Sequence, residues 1–349
     1  MRLKLALLCA MSAAGAHGQL GDKLRGLVEV DVNAPSDYDT VYVTQYRGNL
    51  LVSAVVKAQS VDVGIEPEEG EGLEYSINGM EQYGIGLDYK WLSVEALFSL
   101  PQWSDLDPAL GKSKSRGFGL GITRNRLWAR GSWNTTEGYF LNDPLRWTGS
   151  AEPYVRPDIK NRTFLLSVNY ALSRKRRYSQ RAALFQTERQ KRSAGTWVAG
   201  FSGWHTTLTA DSSLLSRALL DTFLLDVTGF MEAQRLILGA TFGYTHTFVF
   251  WHKGFIQASL LPGLSYAQQW LATPEERLHG TGMVPVVEFK GGLGFNGDRW
   301  YCAMTAAYYY TTAQISEQVY LSLNTGHVRF ALGVRFGDPR IKALKKVGL

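Results

Sequence analysis

The sequence predicts an all-β protein, an antiparallel transmembrane β-barrel of about 12 strands. Three observations lead to this prediction: an export signal at the start of the chain, the lack of any later run of 18 apolar residues, and period-two alternation along most of the sequence. Exported chains that alternate in this way without a spanning helix are typical of bacterial outer-membrane barrels. The competing fold is a secreted or periplasmic β-sandwich, whose strands are usually ~5–6 residues long.

The chain opens with "MRLKLALLCAMSAAGAHGQ", which has the layout of a secretory signal peptide. Arg2 and Lys4 precede a short apolar core, and Ala14-Gly15-Ala16 fits a cleavage site. The apolar core is far shorter than the ~20 residues that a bilayer helix needs. We therefore expect four segments: a signal peptide at 1–18, an N-terminal periplasmic segment at 19–48, the barrel at 49–336 and a basic periplasmic tail at 337–349.

The net charge and the cysteine content argue against two classes of protein, those that bind nucleic acid and those built on disulfide bonds. The formal net charge is +6, and removal of Arg2 and Lys4 with the signal lowers it by two, to +4. This charge is spread along the chain, which argues against a nucleic-acid partner. Cys302 is the one cysteine left after the signal is removed, so the mature chain is not a disulfide scaffold.

The alternating segments define the predicted strands. In "QYGIGLDYKW", Tyr83, Ile85 and Leu87 share one face, opposite glycines and Asp88. Strands of ~9–11 residues with one apolar face and one small or polar face cross a bilayer as a barrel. The twelve predicted strands are 50–62, 82–91, 92–100, 116–124, 126–134, 163–173, 180–207, 235–250, 254–270, 286–296, 299–312 and 327–336.

The connections set the strand count. Short polar turns such as "TRNRL" and "FNGDRW" alternate with long segments such as 208–234, as expected for periplasmic turns and outer loops. With a periplasmic start, the strand that ends near Leu172 and the strand 235–250 both run downward, so one upward crossing must fill 180–207. The total is then even, while counts of 10 and 14 strands stay open.

Several motifs resemble a known family, the Bacteroidetes-type outer-membrane β-barrel proteins grouped as a domain of unknown function. The resemblance covers roughly 37–336 and implies a Gram-negative outer-membrane location, without an established activity. Its most specific motif is "QTERQKRSAG" at 186–195. The other motifs are "YDTVYV" at 38–43, "RPDIK" at 156–160, "FNGDRW" at 295–300 and "VRFALGVRF" at 328–336.

The sequence contains no motif for an enzyme, a metal site or a cofactor, so we predict no catalytic residue, no metal and no cofactor. Two Ser–His pairs could be drawn, Ser202 with His205 and Ser265 with His246. Such a pair would suit an outer-membrane lipid-modifying hydrolase, which we keep as an alternative function. A periplasmic or secreted β-sandwich binding protein is the other alternative.

Charged residues on the inward faces are the candidate functional residues, because lumen side chains set selectivity in barrels. Asp88, Lys90, Glu95, Arg116 and Arg130 are also expected to point mostly inward. The candidate lumen cluster consists of Glu188, Arg189, Lys191, Arg192, Glu288, Lys290, Arg329 and Arg335.

The expected function is a narrow, porin-like pore or transport protein, or a structural surface protein, in the outer membrane. The expected partners are outer-membrane lipid and lipopolysaccharide, together with the barrel-assembly machinery, which would bind the C-terminal strand. We expect a monomer.

Overall fold

Twelve long antiparallel strands pair with their neighbours and close into a barrel. The structure, a computed structural model, describes residues 38–46, 48–61, 63–67, 72–79, 81–100, 106–124, 126–173, 175–214, 231–272, 277–310, 313–316, 319–322 and 325–339. The predicted signal peptide and most of the predicted tail lie outside these residues. The transmembrane barrel and its twelve strands are confirmed.

In chain order the strands are β1 (Val43–Gln45), β2 (Leu50–Val61), β3 (Val63–Pro67), β4 (Leu73–Ser76), β5 (Glu81–Tyr89), β6 (Leu92–Phe98), β7 (Lys114–Arg124), β8 (Leu127–Leu141), β9 (Val155–Ala171), β10 (Glu188–Gln190), β11 (Ala194–Thr209), β12 (Glu232–Phe250), β13 (Gly254–Ala272), β14 (Arg277–Asn296), β15 (Trp300–Tyr310), β16 (Ala313–Ser316), β17 (Val319–Ser322) and β18 (Thr325–Phe336). The wall consists of β2, β5–β9, β11–β15 and β18, and it closes where β18 pairs with β2. The shorter strands β3, β4, β16 and β17 extend the sheet beyond the wall.

The two faces of the wall differ as the alternation predicts. On β7, Phe118, Leu120 and Ile122 face outward and are 39–47% exposed, whereas the glycines between them are buried. Large apolar side chains are exposed in the same way on the other long strands, for example Phe242 and Leu332. A continuous exposed apolar band around a closed barrel is the surface that contacts lipid hydrocarbon. Among the described residues, no helix is long and apolar enough to cross a membrane.

Tight turns join the strands at one end of the barrel, which we call the short-turn end. β5 and β6 are joined through Lys90, whose φ is +51°, and β12 and β13 through Trp251 and His252, with φ of +47° and +63°. Positive φ values suit the tight turns of twisted hairpins. Lys90, expected in the lumen, therefore lies in a turn. The opposite end, where the longer connections lie, is the long-loop end.

The crossing predicted at 180–207 is wrong in its first part. The wall strand β11 begins at Ala194, while Arg181–Phe185 forms a π-helical turn and Glu188–Gln190 forms β10. β10 pairs with β1, which supplies backbone partners that the wall does not. Residues 175–193, the plug segment, thus enter and leave the lumen at the short-turn end, which preserves the strand parity.

Arg116 also differs from its expected position. It has the parity of Phe118, and its side chain is exposed on the outer wall. The alternation of "RGFGLGIT" itself requires this, because residues two apart on a strand share a face.

Several strands are longer at the long-loop end than predicted. β8 runs to Leu141 and β9 begins at Val155, because the wall continues above the apolar band with polar outward positions. Inside this end, an apolar cluster packs between β4, β8 and β9, with Tyr75, Tyr139 and Ile159 fully or almost fully buried. Trp147, on the short helix Pro144–Thr148, joins the same cluster.

Candidate functional site in the barrel lumen

The plug segment is anchored to the wall by two polar residues, Asn296 and Arg335. Asn296 Nδ2 donates hydrogen bonds to the carbonyl oxygens of Glu188 at 2.8 Å and Ala182 at 3.2 Å. Arg335 donates to the carbonyl oxygens of Gln186 and Gly297, and to Asn296 Oδ1 at 2.5 Å. These anchors satisfy backbone carbonyls that are buried inside the lumen, where an unpaired polar group is costly.

Glu188 lies at the centre of the plug and is 2% exposed. Its carboxylate accepts hydrogen bonds from Ser179 Oγ at 2.5 Å and from Gln45 Nε2 at 2.9 Å. Arg181 lies 3.7 Å from the same carboxylate. The carboxylate therefore links the plug segment to β1 and to the π-helical turn.

Asp298, in the turn between β14 and β15, binds two cations at the edge of the plug segment, and we call this edge the rim of the plug. Lys253 Nζ donates to it at 2.9 Å and Arg189 at 2.6 Å. The hydrogen bond from Lys253, together with that from Arg189, lowers the pKa of Asp298 to about 2. Tyr46, against which the guanidinium of Arg335 stacks at 4.1 Å, has its pKa raised by burial. The rim is thus a charged and aromatic cluster at neutral pH.

The two remaining cations of the "QTERQKRSAG" motif, Lys191 and Arg192, do not line the cavity that lies above the plug. The backbone N–H of Lys191 donates to the carbonyl of Tyr42 at 2.7 Å. Arg192 is exposed, and its guanidinium lies 6.0 Å from the ring of Tyr42.

Above the plug is a cavity of about 100 Å³, which we call the lumen chamber. The side chain of Glu95 lines this cavity and accepts hydrogen bonds from Arg130 at 2.9 Å and from Arg329 at 2.7 Å. Lys57 also lines it and donates to Gln59 at 2.8 Å. Phe185 of the plug forms part of the floor, and the guanidinium of Arg130 lies 6.0 Å from its ring.

A second ion pair lies on the β14 side of the chamber. Lys290 lines the cavity and pairs with Glu288, which is 1% exposed. The ammonium of Lys290 also lies 5.9 Å from the ring of Tyr309. Glu288 therefore neutralises Lys290 locally.

The structure divides the candidate cluster of eight residues into groups. Arg329, Lys290 and Glu288 belong to the chamber, and Glu188, Arg189 and Arg335 to the plug and its rim. Sequence reasoning missed Lys57, Arg181 and the anchor Asn296. The alternation of β2 places Lys57 inward with Leu51 and Val55, and this signal was available. No local pattern shows that Asn296 binds plug carbonyls.

The two Ser–His pairs are not brought together. Ser202 is buried on the inward face of β11, while His205 is exposed on the outward face. Ser265 pairs with Gly239 and His246 with Ala258, seven positions apart along the same two strands. Within the described residues, no group of three or more His, Cys, Asp or Glu side chains could hold a metal ion.

Three solved structures of barrels are similar to this chain. The outer membrane protease OmpT from Escherichia coli has 10% identity and a TM-score of 0.38, covering 88% of this chain and 100% of its own. The COG4313 outer membrane channel from Pseudomonas putida F1 has 11% identity and a TM-score of 0.34, covering 88% and 100%. The translocator domain of the autotransporter NalP from Neisseria meningitidis has 12% identity and a TM-score of 0.33, covering 95% and 99%. These values are too low to transfer any activity.

The sequence comparisons reach the family level. No curated protein matches the chain. The family described as "Domain of unknown function (DUF4421)" matches residues 37–336, and the family resemblance drawn from the motifs is confirmed.

Proposed function

The chain belongs to this family, whose description gives no activity, and we propose from the geometry that it mediates gated passage of a small anionic solute across the outer membrane. The export signal and the apolar band support the outer-membrane location. The lumen chamber would bind the solute, and the plug segment would close the route at the short-turn end.

The proposal rests on the excess of positively charged side chains that line the lumen chamber. Among the described residues that line the cavity, four are cations, Lys57, Arg130, Lys290 and Arg329, and Glu95 is the single carboxylate. Glu288 offsets Lys290 from the side. One carboxylate thus faces two guanidiniums and one ammonium, and a small anion would complete the charge balance. Guanidinium groups are suited to carboxylate or phosphate ligands.

The plug supplies the gate. It is held by side-chain contacts at Asn296, Arg335 and Asp298 and by the packing of Ala183 against the inward face. Three further hydrogen bonds join Tyr178 to Thr245, Arg181 to the carbonyl of Lys90, and the N–H of Val249 to Ser193. It is not part of the wall ladder, so it can move without breaking the backbone hydrogen bonds between wall strands. Segments held in this way open at lower free energy than the core of a fold.

Planar bilayer recordings test the proposal. We expect the unmodified protein to conduct weakly, and the double variant Asn296→Ala with Arg335→Ala to conduct more strongly, with anions preferred over cations in the reversal potential. Adding Lys57→Gln to that variant should reduce the anion preference, because the chamber loses one positive charge. Arg277→Ala, an exposed position at the long-loop end, is the control and should leave the current unchanged.

The recordings are meaningful only for correctly folded variants. Heat-modifiable migration on gels shows whether each variant has folded into a barrel. Folded variants without increased current would refute the gate and leave a structural role. Increased current with a preference for cations would refute the anionic solute.

A further inference from the structure

Cations are concentrated on one sector of the outer wall, at the long-loop end of β7, β8 and β9. Their side chains lie on the lipid-facing side, with the same parity as Phe118, Trp133 and Phe164. Across the three strands they form two paired rows: Arg116, Thr135 and Arg162 in the lower row, and Lys114, Glu137 and Lys160 in the upper row.

The lower row lies directly above an aromatic row. Phe118, Trp133 and Phe164 pair across the same strands and are 46–47% exposed. From Leu172, directly after β9, back to Arg162 the chain spans ten residue steps. At about 3.3 Å per residue and a tilt of about 40°, this is a height of about 25 Å, the usual height of the apolar band. Arg162 therefore lies where hydrocarbon ends and lipid headgroups begin.

This sector carries unbalanced positive charge. Glu137 pairs with Lys160 at 3.1 Å, and within the described chain no carboxylate pairs with Lys114, Arg116 or Arg162. Between these side chains is a groove of about 410 Å³, with Trp133 at its lower side. The hydroxyl of Thr135, between the two arginines, is buried and has no hydrogen-bond partner. The groove thus combines three uncompensated cations with a free polar group.

The lower row holds no further cation on the next three strands, β11, β12 and β13. Arg162 pairs with Thr207, Thr207 with Gln234, and Gln234 with Trp270, whereas the upper row reaches its next cation only at Arg277 of β14. A headgroup-level charge that served only general membrane attraction would be spread around the barrel. Its concentration on β7, β8 and β9, with Arg277 alone on β14 in line with the described upper row, favours a specific anionic ligand.

We propose that this groove binds the phosphate groups of a glycolipid of the outer leaflet, the lipid A portion of lipopolysaccharide. Arg116 and Arg162 would bind one phosphate from two sides, and Lys114 would lie above it. Guanidinium groups bind phosphate through paired hydrogen bonds, and Thr135 can donate another. The acyl chains would lie along the aromatic row, where rings at a membrane interface contact lipid.

The test is native mass spectrometry of the purified protein in detergent, titrated with bisphosphorylated lipid A or with the same lipid after removal of its phosphates. We expect the unmodified protein to bind the phosphorylated lipid at least tenfold more tightly. The double variant Arg116→Ala with Arg162→Ala should lose this preference, whereas Arg116→Lys with Arg162→Lys should keep part of it. Arg277→Ala, an exposed cation outside the groove, is the matched control.

Each comparison can overturn the proposal. Equal binding of the two lipids by the unmodified protein would refute it without any variant. Unchanged preference in the alanine variant would show that the groove is not the site. Displacement of the lipid by millimolar inorganic phosphate would identify a free-phosphate site instead. None of these readouts depends on passage through the lumen.

Discussion

At the scale of single residues, Glu95 is the carboxylate on which the chamber depends. It is 6% exposed and holds Arg130 and Arg329, with Lys57 on the same cavity. Removal of one partner from a buried ion network leaves uncompensated charge, which is more costly than loss of the pair as a whole. We therefore expect Glu95→Gln to lower the free energy of unfolding by about 3–5 kcal/mol. Urea unfolding in detergent, followed by tryptophan fluorescence, measures this change.

Glu137→Gln is the matched control for Glu95→Gln. Glu137 also pairs with a cation, Lys160 at 3.1 Å, but its side chain is 43% exposed on the outer wall. Exposed pairs contribute about 0–1 kcal/mol. An equal decrease in the free energy of unfolding in the two variants would contradict the view that burial makes the Glu95 network stabilising.

The sequence predicts the face of a charged residue better than its partner. Alternation places Glu95 and Arg329 inward, and the structure agrees. Their pairing joins β6 to β18, more than two hundred residues apart, and depends on side chains that cross the lumen. Partners across a lumen are set by barrel closure and side-chain length, neither of which a local pattern contains.

At the scale of elements, the β12–β13 pair shows why a glycine is needed within a wall strand. The ladder skips Phe242 and Gly243 on β12 and Leu261 and Pro262 on β13, where proline has no N–H to donate. A Cβ at Gly243 would lie 2.0 Å from the carbonyl oxygen of Leu260. The two backbones approach too closely here for any side chain at position 243.

We therefore expect Gly243→Val to force the two strands apart and to destabilise the barrel by about 1–3 kcal/mol. Gly282→Val is the control, because Gly282 lies in β14 and a Cβ added there would have no atom within 4 Å. Unfolding midpoints in urea at constant detergent concentration compare the two. A larger effect at Gly282 than at Gly243 would show that backbone approach is not the cause.

The plug is the element that the sequence could not predict. Its apolar and polar residues do not alternate regularly. A single crossing over 180–207 and a plug followed by a shorter crossing satisfy strand parity equally. What decides between them is the pairing of β10 with β1, from the segment expected to lie in the periplasm. A three-residue pairing between segments 143 residues apart leaves no signal in either segment alone.

At the scale of the whole molecule, the wall could be predicted almost in full. Period-two alternation, short turns and an even strand count together fix a closed barrel, because each strand must bury its polar backbone and hide its polar face from lipid. The content of the lumen is free of these constraints. The chamber and the plug therefore had to be found in the structure.

The independence of wall and plug leads to a prediction for the complete barrel. The N–H of Leu172 donates to the carbonyl of Trp197 at 2.8 Å, so the wall strands β9 and β11 are hydrogen-bonded to each other without the plug segment. Replacement of residues 175–193 by a four-residue Gly/Asn turn should leave a closed barrel, since tight turns of this composition join antiparallel strands. The variant should keep heat-modifiable migration and show higher single-channel conductance than the unmodified protein. A shortened chain that folds but stays as closed as the full chain would place the barrier at the apolar cluster of the long-loop end, and the plug would not be the gate.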